Sequence, residues 1–334
     1  MIAAGQDAVP SYAELHCISN FTFLRGASHP EELVAHASRL GYTALALTDE
    51  CSVAGAVRAH VAAREHGIKL IIGSEFRLED ELRVVLLAAN RRAYVQLCTL
   101  ITGGRRAASK GEYRLNRANL AEGLDDCLLL WIPDCRSKPA DGHWLASIFP
   151  DRAWIALALL AGGDDRGRLH AITNLSKATG LPVTAAGDVH MHVRGRRALQ
   201  DTLTAVRLKT TLEHAGSQLY ANGERHLRRR EHLRRIYPPD LLRASVTIAE
   251  RIDFSLDQLQ YHYPKELVPD GHSPASYLRQ LTEHGMCQRW PGGTPPEVSQ
   301  LVEHELRLIA ELNYEPYFLT VHDIVRFARE RNIL

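Results

Sequence analysis

Apolar and polar positions recur along this chain in one local unit: an amphipathic helix, a glycine, and a short apolar strand. The first copy predicts a helix over residues 31–40, with Leu33, Val34 and Ala37 on one face, followed by Gly41 and a strand over 43–48. Glycine suits the end of a helix because it accepts the left-handed conformation that satisfies the last carbonyls. Two further copies predict helices over 53–66 and 166–179 and strands over 68–72 and 181–185.

Other apolar runs predict strands over residues 83–87, 127–132 and 154–159. Helices that alternate with short buried strands are typical of parallel βα units. About seven strands within some 200 residues favour a barrel over a sandwich. A Rossmann sheet is less favoured because no GxGxxG follows the first strand. The sequence therefore predicts an α/β fold with a distorted, TIM-like βα barrel.

The pattern changes after about Lys209. Residues 222–235 include six arginines, residues 261–274 have the prolines and turn signals of a linker, and helical patterns then resume from Ser273-Pro274, an N-cap followed by proline. We predict a barrel over 1–220, an arginine-rich helical end with a linker over 221–263, and a mainly helical region over 264–334.

Composition limits the classes of function. The chain has 334 residues, 45% of them hydrophobic and 24% charged, with a net charge of +1, so a nucleic-acid surface has to be local. The six cysteines form no CxxC pair, which favours a reducing cytoplasm over a disulfide scaffold. No run approaches the roughly 18 apolar residues of a membrane span, and no secretory signal is evident.

Possible metal ligands lie at or just after the downstream ends of predicted strands. In parallel barrels these ends form one face, where sites are built. Histidine and carboxylate side chains from separate strands would suit a divalent metal there. The candidates are His16, Asp49, Glu75, Asp188 and His190, with Glu50 as a further possibility.

Several long strings resemble the bacterial C-family error-prone DNA polymerases, relatives of the replicative polymerase III alpha subunit. They are YAELHCISNFTFLRGAS at 12–28, ALTDEC at 46–51, IIGSE at 71–75, AGDVHMH at 186–192 and YFLTVHDIV at 317–325. The resemblance implies a polymerase and histidinol phosphatase (PHP) domain, a distorted seven-stranded βα barrel, followed from about residue 264 by the first helices of the palm. It places the catalytic palm aspartates beyond Leu334, so we expect no polymerase activity and no catalytic residue in this fragment.

Active PHP barrels bind up to three metal ions, and this sequence departs from their ligand pattern at several positions. His16, Asp49, Glu75, Asp188 and His190 match expected ligands, while Glu50 stands where a histidine is expected. Three other expected positions cannot ligate: Ile18 replaces the second histidine, Arg83 another histidine, and the strand before Leu160 ends without a donor. We therefore expect a degenerate site, with zinc or manganese absent or partly bound, and Arg83 paired with Glu75 or Asp188 in place of an ion.

The same residues have structural interpretations. Asp49 and Asp188 could cap helices, and His16 could be a hydrogen-bonded core histidine. The arginines 225, 228, 229, 230, 234 and 235 could bind DNA phosphates or an acidic partner, but a solvated helix with Glu224 and Glu231 as counterions is the favoured interpretation. Phe21, Phe23 and Leu24 are expected to be core residues.

The leading functional hypothesis is a non-catalytic PHP scaffold of an error-prone, damage-induced DNA polymerase that acts in translesion synthesis. By resemblance, the full-length parent would be a cytoplasmic, magnesium-dependent DNA-directed DNA polymerase with DNA, the sliding clamp and accessory mutagenesis proteins as partners, and without membrane association. The alternative hypotheses are a metal-dependent PHP phosphoesterase, either a 3′–5′ exonuclease or a pyrophosphatase, and a DNA-binding module built on the arginine cluster.

Overall fold

The chain divides into two compact units, residues 1–259 and 260–334. The computed structural model describes residues 10–259 and 268–333. The predicted boundary between residues 263 and 264 lies outside the described residues. The predicted division at residue 220 also stays a prediction. Residues 221–259 belong to the same compact unit as the strands.

One seven-stranded sheet forms the centre of the first unit, with its strands in sequence order. Neighbouring strands are parallel except that the fourth is antiparallel to both the third and the fifth. The strands are β1 (Ala13–Cys17), β2 (Ala44–Leu47), β3 (Lys69–Arg77), β4 (Arg83–Ala88), β5 (Cys127–Trp131), β6 (Ala153–Leu157) and β7 (Val183–Ala185).

The two edges of this sheet meet just beyond β7. Cys17 forms a parallel bridge with Val189, supported by hydrogen bonds from the Ile18 amide to the Val189 carbonyl (2.9 Å) and from the Val189 amide to the His16 carbonyl (3.0 Å). This contact curls the sheet into a barrel and brings the end of β1 beside the residues that follow β7. The predicted α/β barrel with seven strands is confirmed.

Helices cover the outside of the sheet, and the predicted helix–glycine–strand units are present. Their ends agree within three residues, except that β3 continues to Arg77, five residues beyond the predicted strand. Gly67 and Gly180 follow two of the helices in the left-handed conformation. The helices described in the first unit are α1 (Pro30–Arg39), α2 (Ala56–His66), α3 (Arg91–Arg106), α4 (Arg117–Ala121), α5 (Pro139–Ile148), α6 (Asp165–Thr179), α7 (Arg197–Arg207), α8 (Leu212–Ala215), α9 (Arg230–Ile236) and α10 (Pro239–Glu250).

The barrel interior is filled by small and branched side chains from alternate strand positions, such as Ala46, Ile71 and Val85. Helix α10 adds Ile248 to this cluster because it packs against both β1 and β7. The hydroxyl of Ser245 on α10 accepts a hydrogen bond from the Ala13 amide (3.1 Å). Helix α10 therefore provides a hydrogen-bond acceptor for the backbone of β1. It also covers apolar surface of β1 and β7.

The described part of the second unit is helical, as predicted for this region. Its helices are α11 (Pro274–Arg289), α12 (Pro296–Glu311) and α13 (Glu315–Glu330), with α11 packed against α13. The predicted N-cap is confirmed, since the Ser273 hydroxyl accepts a hydrogen bond from the Ser276 amide (3.1 Å). No helix among residues 10–259 and 268–333 has the length and apolar character needed to cross a membrane.

Gly187 is expected to be essential for closing the barrel, because it lies directly against the buried carboxylate of Glu14. Its amide donates to Glu14 Oε1 (2.8 Å), and a Cβ at this position would lie 2.2 Å from Glu14 Oε2. Gly187→Ala should lower the free energy of unfolding by about 1–3 kcal/mol through overpacking. Urea denaturation measures this change. Gly195→Ala is the matched control, since no atom lies within 4 Å of its Cβ position, and an equal loss in both variants would refute the explanation.

Candidate functional site

Four of the predicted ligands meet on one rim of the barrel. His16 lies in β1 and Glu75 in β3, whereas Asp188 and His190 follow β7. All four residues are buried. The closing contact between β1 and Val189 explains this proximity, because it brings residues about 170 positions apart in the sequence to adjacent places on the rim.

These four side chains contact one another directly. His16 Nε2 lies 2.8 Å from Glu75 Oε2, and His16 Nδ1 lies 3.8 Å from Asp188 Oδ1. His190 Nε2 lies 3.1 Å from the same Asp188 oxygen. The side chains therefore form a row in the order Glu75, His16, Asp188, His190.

Three arginines surround the two carboxylates of this row. Glu75 Oε1 accepts a hydrogen bond from Arg83 Nη2 at 2.8 Å and a longer one from Arg25 Nη2 at 3.4 Å. Arg225 forms an ion pair with Asp188 and lies over the ring of Tyr220, 4.4 Å from its centroid. The expected pairing of Arg83 with Glu75 is confirmed.

The ionisation of these groups follows from burial and from the arginines. Burial alone would raise the pKa of Glu75, but Arg25, His16 and Arg83 outweigh it and hold that pKa well below its usual value. Burial and then the charge of Arg25 lower the pKa of His190 well below its usual value. Burial, followed by the like charges of Arg83 and Arg25, lowers the pKa of Arg225 to about 9.

Asp49 lies near the rim but binds the loop after β1 and stays outside the row. Its Oδ1 accepts hydrogen bonds from the Ser19 amide (2.7 Å) and the Thr22 hydroxyl (2.7 Å), and its Oδ2 accepts one from the Ser19 hydroxyl (2.8 Å). Burial raises its pKa. The structure therefore gives Asp49 the role of fixing a loop, although a different one from the helix cap considered above.

Glu50 is held by two partners at the edge of the rim. It forms an ion pair with Arg25, and its Oε1 accepts a hydrogen bond from the Tyr113 hydroxyl (2.9 Å). Arg25 therefore links Glu50 to Glu75 across the mouth of the barrel.

Two local expectations are wrong in detail. Glu75 lies inside β3, which continues to Arg77, instead of after the strand. Alternation along a strand, which would point the side chains of Asp188 and His190 the same way, was a second expectation. It does not apply, because β7 ends at Ala185 and Asp188 has a left-handed backbone with φ of 46°. Their side chains contact each other despite this, so the turn after β7, and not strand alternation, orients both toward the rim.

The arginine cluster does not form one solvated face. Arg225 points into the rim, and Arg228 is buried, donating to the Leu159 carbonyl (2.7 Å) beside Tyr237. Arg230 donates to the Leu40 carbonyl at the end of α1 (3.1 Å). Arg229, Arg234 and Arg235 are exposed, so only these three keep the predicted position on the surface.

The donor set does not fit a resident divalent metal. The carboxylate oxygens of Glu75 and Asp188 already contact guanidinium or imidazole nitrogens, and the Ile18 side chain is buried without any donor atom. Among residues 10–259 and 268–333, no group of three or more histidine, cysteine or acidic side chains has an arrangement that could hold a metal ion. Guanidinium groups provide the positive charge in this arrangement.

Sequence reasoning missed Arg25 and Phe23. Arg25 lies in the loop between β1 and α1, and its position directly after a rim strand was the available signal. Phe23 was expected in the core, but it is 81% exposed at the mouth of the barrel. The side chain is displaced because Ser19 and Thr22 anchor the loop to Asp49 and leave the adjacent Phe23 outside.

Comparison with known proteins identifies two family models. The PHP domain matches residues 14–172, and the bacterial DNA polymerase III alpha NTPase domain matches residues 276–334. An amidohydrolase structure from Chromobacterium violaceum is 15% identical, with a TM-score of 0.41, and the match covers 54% of this chain and 88% of that one.

Curated relatives match along essentially the entire chain. The error-prone DNA polymerase of Methylococcus capsulatus is 58% identical over 100% of this chain, and that of Dechloromonas aromatica is 55% identical over 98%. In both cases the match covers 32% of the relative, so the chain spans about a third of the length of the curated relatives it matches.

Replacing Glu75 should expose the pH dependence of the ion pairs. Because the folded pKa of Glu75 is lowered, its stabilising contribution is present above its unfolded pKa of about 4.3 and is lost as the pH falls below that value. Glu75→Gln should cost about 3 kcal/mol at pH 7, since it leaves the partly buried guanidinium groups of Arg83 and Arg25 without their charge partner, and less at pH 3.5. Urea denaturation at both pH values, with the exposed Glu79→Gln as control, measures the difference. A cost that does not change with pH would contradict this assignment.

Proposed function

Because this chain belongs to the bacterial C-family error-prone DNA polymerases, as their PHP-domain region, we propose that it is a non-catalytic scaffold of such a polymerase. The observation that supports the proposal is the pairing of both rim carboxylates with guanidinium groups: Arg83 and Arg25 bind Glu75, and Arg225 binds Asp188. Chemistry at a PHP rim requires metal ions to activate water and stabilise phosphoryl charge. A rim whose carboxylates are neutralised by arginines lacks both capabilities.

The scaffold would support the polymerase palm through a barrel that folds without a metal cofactor. Each of the three arginines is covalently part of the chain, so the buried carboxylates remain neutralised whatever the metal concentration. The full-length polymerase would add deoxynucleotides opposite damaged template in a magnesium-dependent reaction, with DNA, the sliding clamp and accessory mutagenesis proteins as its cytoplasmic partners. Family membership supports this wider assignment.

The 334-residue chain is expected to show no functional response to divalent metal. Protein purified without chelator or affinity-tag metals should contain far less than one equivalent of zinc or manganese by mass spectrometry. Titration with either ion should leave its melting temperature unchanged and release no 3′ nucleotides from single-stranded or mismatched DNA. Near-stoichiometric metal, or nucleotide excision that copurifies with the chain, would contradict the scaffold assignment.

The second candidate is a metal-dependent phosphoesterase, which the direct contacts among His16, Glu75, Asp188 and His190 favour. Metal binding would have to displace Arg83 and Arg225 from the carboxylates. If hydrolysis of DNA or pyrophosphate is detected, Asp188→Asn should reduce it at least a hundredfold. Activity that this variant retains in full would come from a contaminant.

A further inference from the structure

Helix α7 turns its apolar side chains toward solvent and its polar side chains toward the protein. A surface helix usually shows the reverse arrangement, with the apolar stripe facing the core. Along the stripe, Leu199 is 40% exposed, Val206 is 55% exposed and Leu203 between them is half-buried. The complete outer face carries no charge and consists of Ala198, Leu199, Thr202, Leu203 and Val206.

The inward face of α7 is polar and poorly satisfied. Gln200 is 1% exposed, yet neither its side-chain nitrogen nor its side-chain oxygen has a hydrogen-bond partner among the described residues. Thr204 is also buried, and its hydroxyl donates to the Gln200 carbonyl of the same helix (2.9 Å). A buried amide without partners costs free energy, and apolar side chains left in water contribute none. A partner that covered the outer face would offset part of this cost.

Positive charge lies at both ends of the uncharged outer face. Arg207 and Lys209 are exposed where α7 ends. Arg194, just before the helix, is exposed as well and lies 3.6 Å from a Glu224 carboxylate oxygen. The surface complementary to α7 is therefore apolar along its middle and acidic toward its ends, most of all toward Arg207 and Lys209.

These charges disfavour a second copy of this chain as the occupant of the outer face. An antiparallel pair of α7 helices would bring Arg207 of one copy beside the arginines at the start of the other helix. A parallel pair would bring Arg207 beside its own equivalent. Like charges meet in both arrangements, which opposes association. Nucleic acid would match the cations but would leave the apolar stripe in contact with water.

We propose that the outer face of α7 docks an acidic amphipathic helix of another protein. The stripe runs along an 11-residue helix, about 16 Å long, so the ridges of a second helix can pack into its grooves. Leucine-like side chains of the partner would cover Leu199, Leu203 and Val206, and its carboxylates would reach Arg207 and Lys209. The inference rests on the proposed scaffold function and deepens it, because it states the chemistry of one partner that the scaffold holds.

The test uses the 334-residue chain and two synthetic helical peptides of about 18 residues, or about five turns. Both peptides have the same leucine stripe, which is flanked by glutamates in one and by lysines in the other. Fluorescence anisotropy should give a Kd of about 10–100 μM for the glutamate peptide and about tenfold weaker binding for the lysine peptide. Val206→Asp should weaken binding of the glutamate peptide about tenfold, because it places a carboxylate within the apolar contact.

Val57→Asp is the matched control, because Val57 lies on α2 and is 65% exposed. This variant should bind the glutamate peptide like the parent chain, and both variants should keep the parental melting temperature, since each changes an exposed side chain. Equal binding of the two peptides, unaltered affinity in Val206→Asp or an equal loss in Val57→Asp would each overturn the proposal. A dimer that Val206→Asp dissociates, or tighter binding to anionic lipid vesicles than to the glutamate peptide, would also overturn it.

The full-length polymerase should bind the glutamate peptide as the 334-residue chain does, because the proposed occupant is a separate protein. A full-length polymerase that does not bind it would show that its own chain covers the outer face, and this result would overturn the proposal. Metal-dependent nuclease activity would contradict the scaffold function, yet it would leave peptide binding in excess chelator unchanged. The two proposals therefore fail separately.

Discussion

The barrel rim depends on neutralising a carboxylate that is almost completely removed from water. Glu75 is 1% exposed, and an unpaired charge at such depth would cost several kcal/mol. Arg83, Arg25 and His16 surround it, and the ion pair of Arg225 with Asp188 repeats the arrangement one position along the rim. The fold around the mouth of the barrel therefore requires positive charge beside these two carboxylates, and Arg83, Arg25 and Arg225 provide it.

Supplying that charge from arginines has consequences that a metal ion would not have. A divalent ion concentrates charge at a point and polarises a bound water molecule, whereas a guanidinium spreads one charge over a plane and cannot act as a Lewis acid. The arrangement also crowds like charges, and this crowding contributes to the lowered pKa of Arg225. Under the scaffold proposal, the rim thus gains structural independence from metals.

Loop geometry connects this electrostatic centre with the surface of the barrel. Asp49 fixes Ser19 and Thr22, and the short loop between them and α1 then presents Phe23 outward and Arg25 inward. The use of Asp49 as an anchor and the arrival of Arg25 at Glu75 are therefore two results of one loop conformation.

The sequence by itself determined the local elements, the α/β barrel and the positions that lack a ligand. Helix–glycine–strand units depend on side-chain periodicity and on backbone preferences within about fifteen residues, and Ile18 lacks a lone pair in any fold. Only the tertiary structure decided that Arg25, Arg83 and Arg225 converge on two carboxylates, that Asp49 turns away, and that Arg228 is buried. These outcomes depend on the contact between Cys17 and Val189, which closes the barrel. Closure brings side chains that are distant in the sequence within hydrogen-bonding distance, and no local sequence pattern specifies which ones.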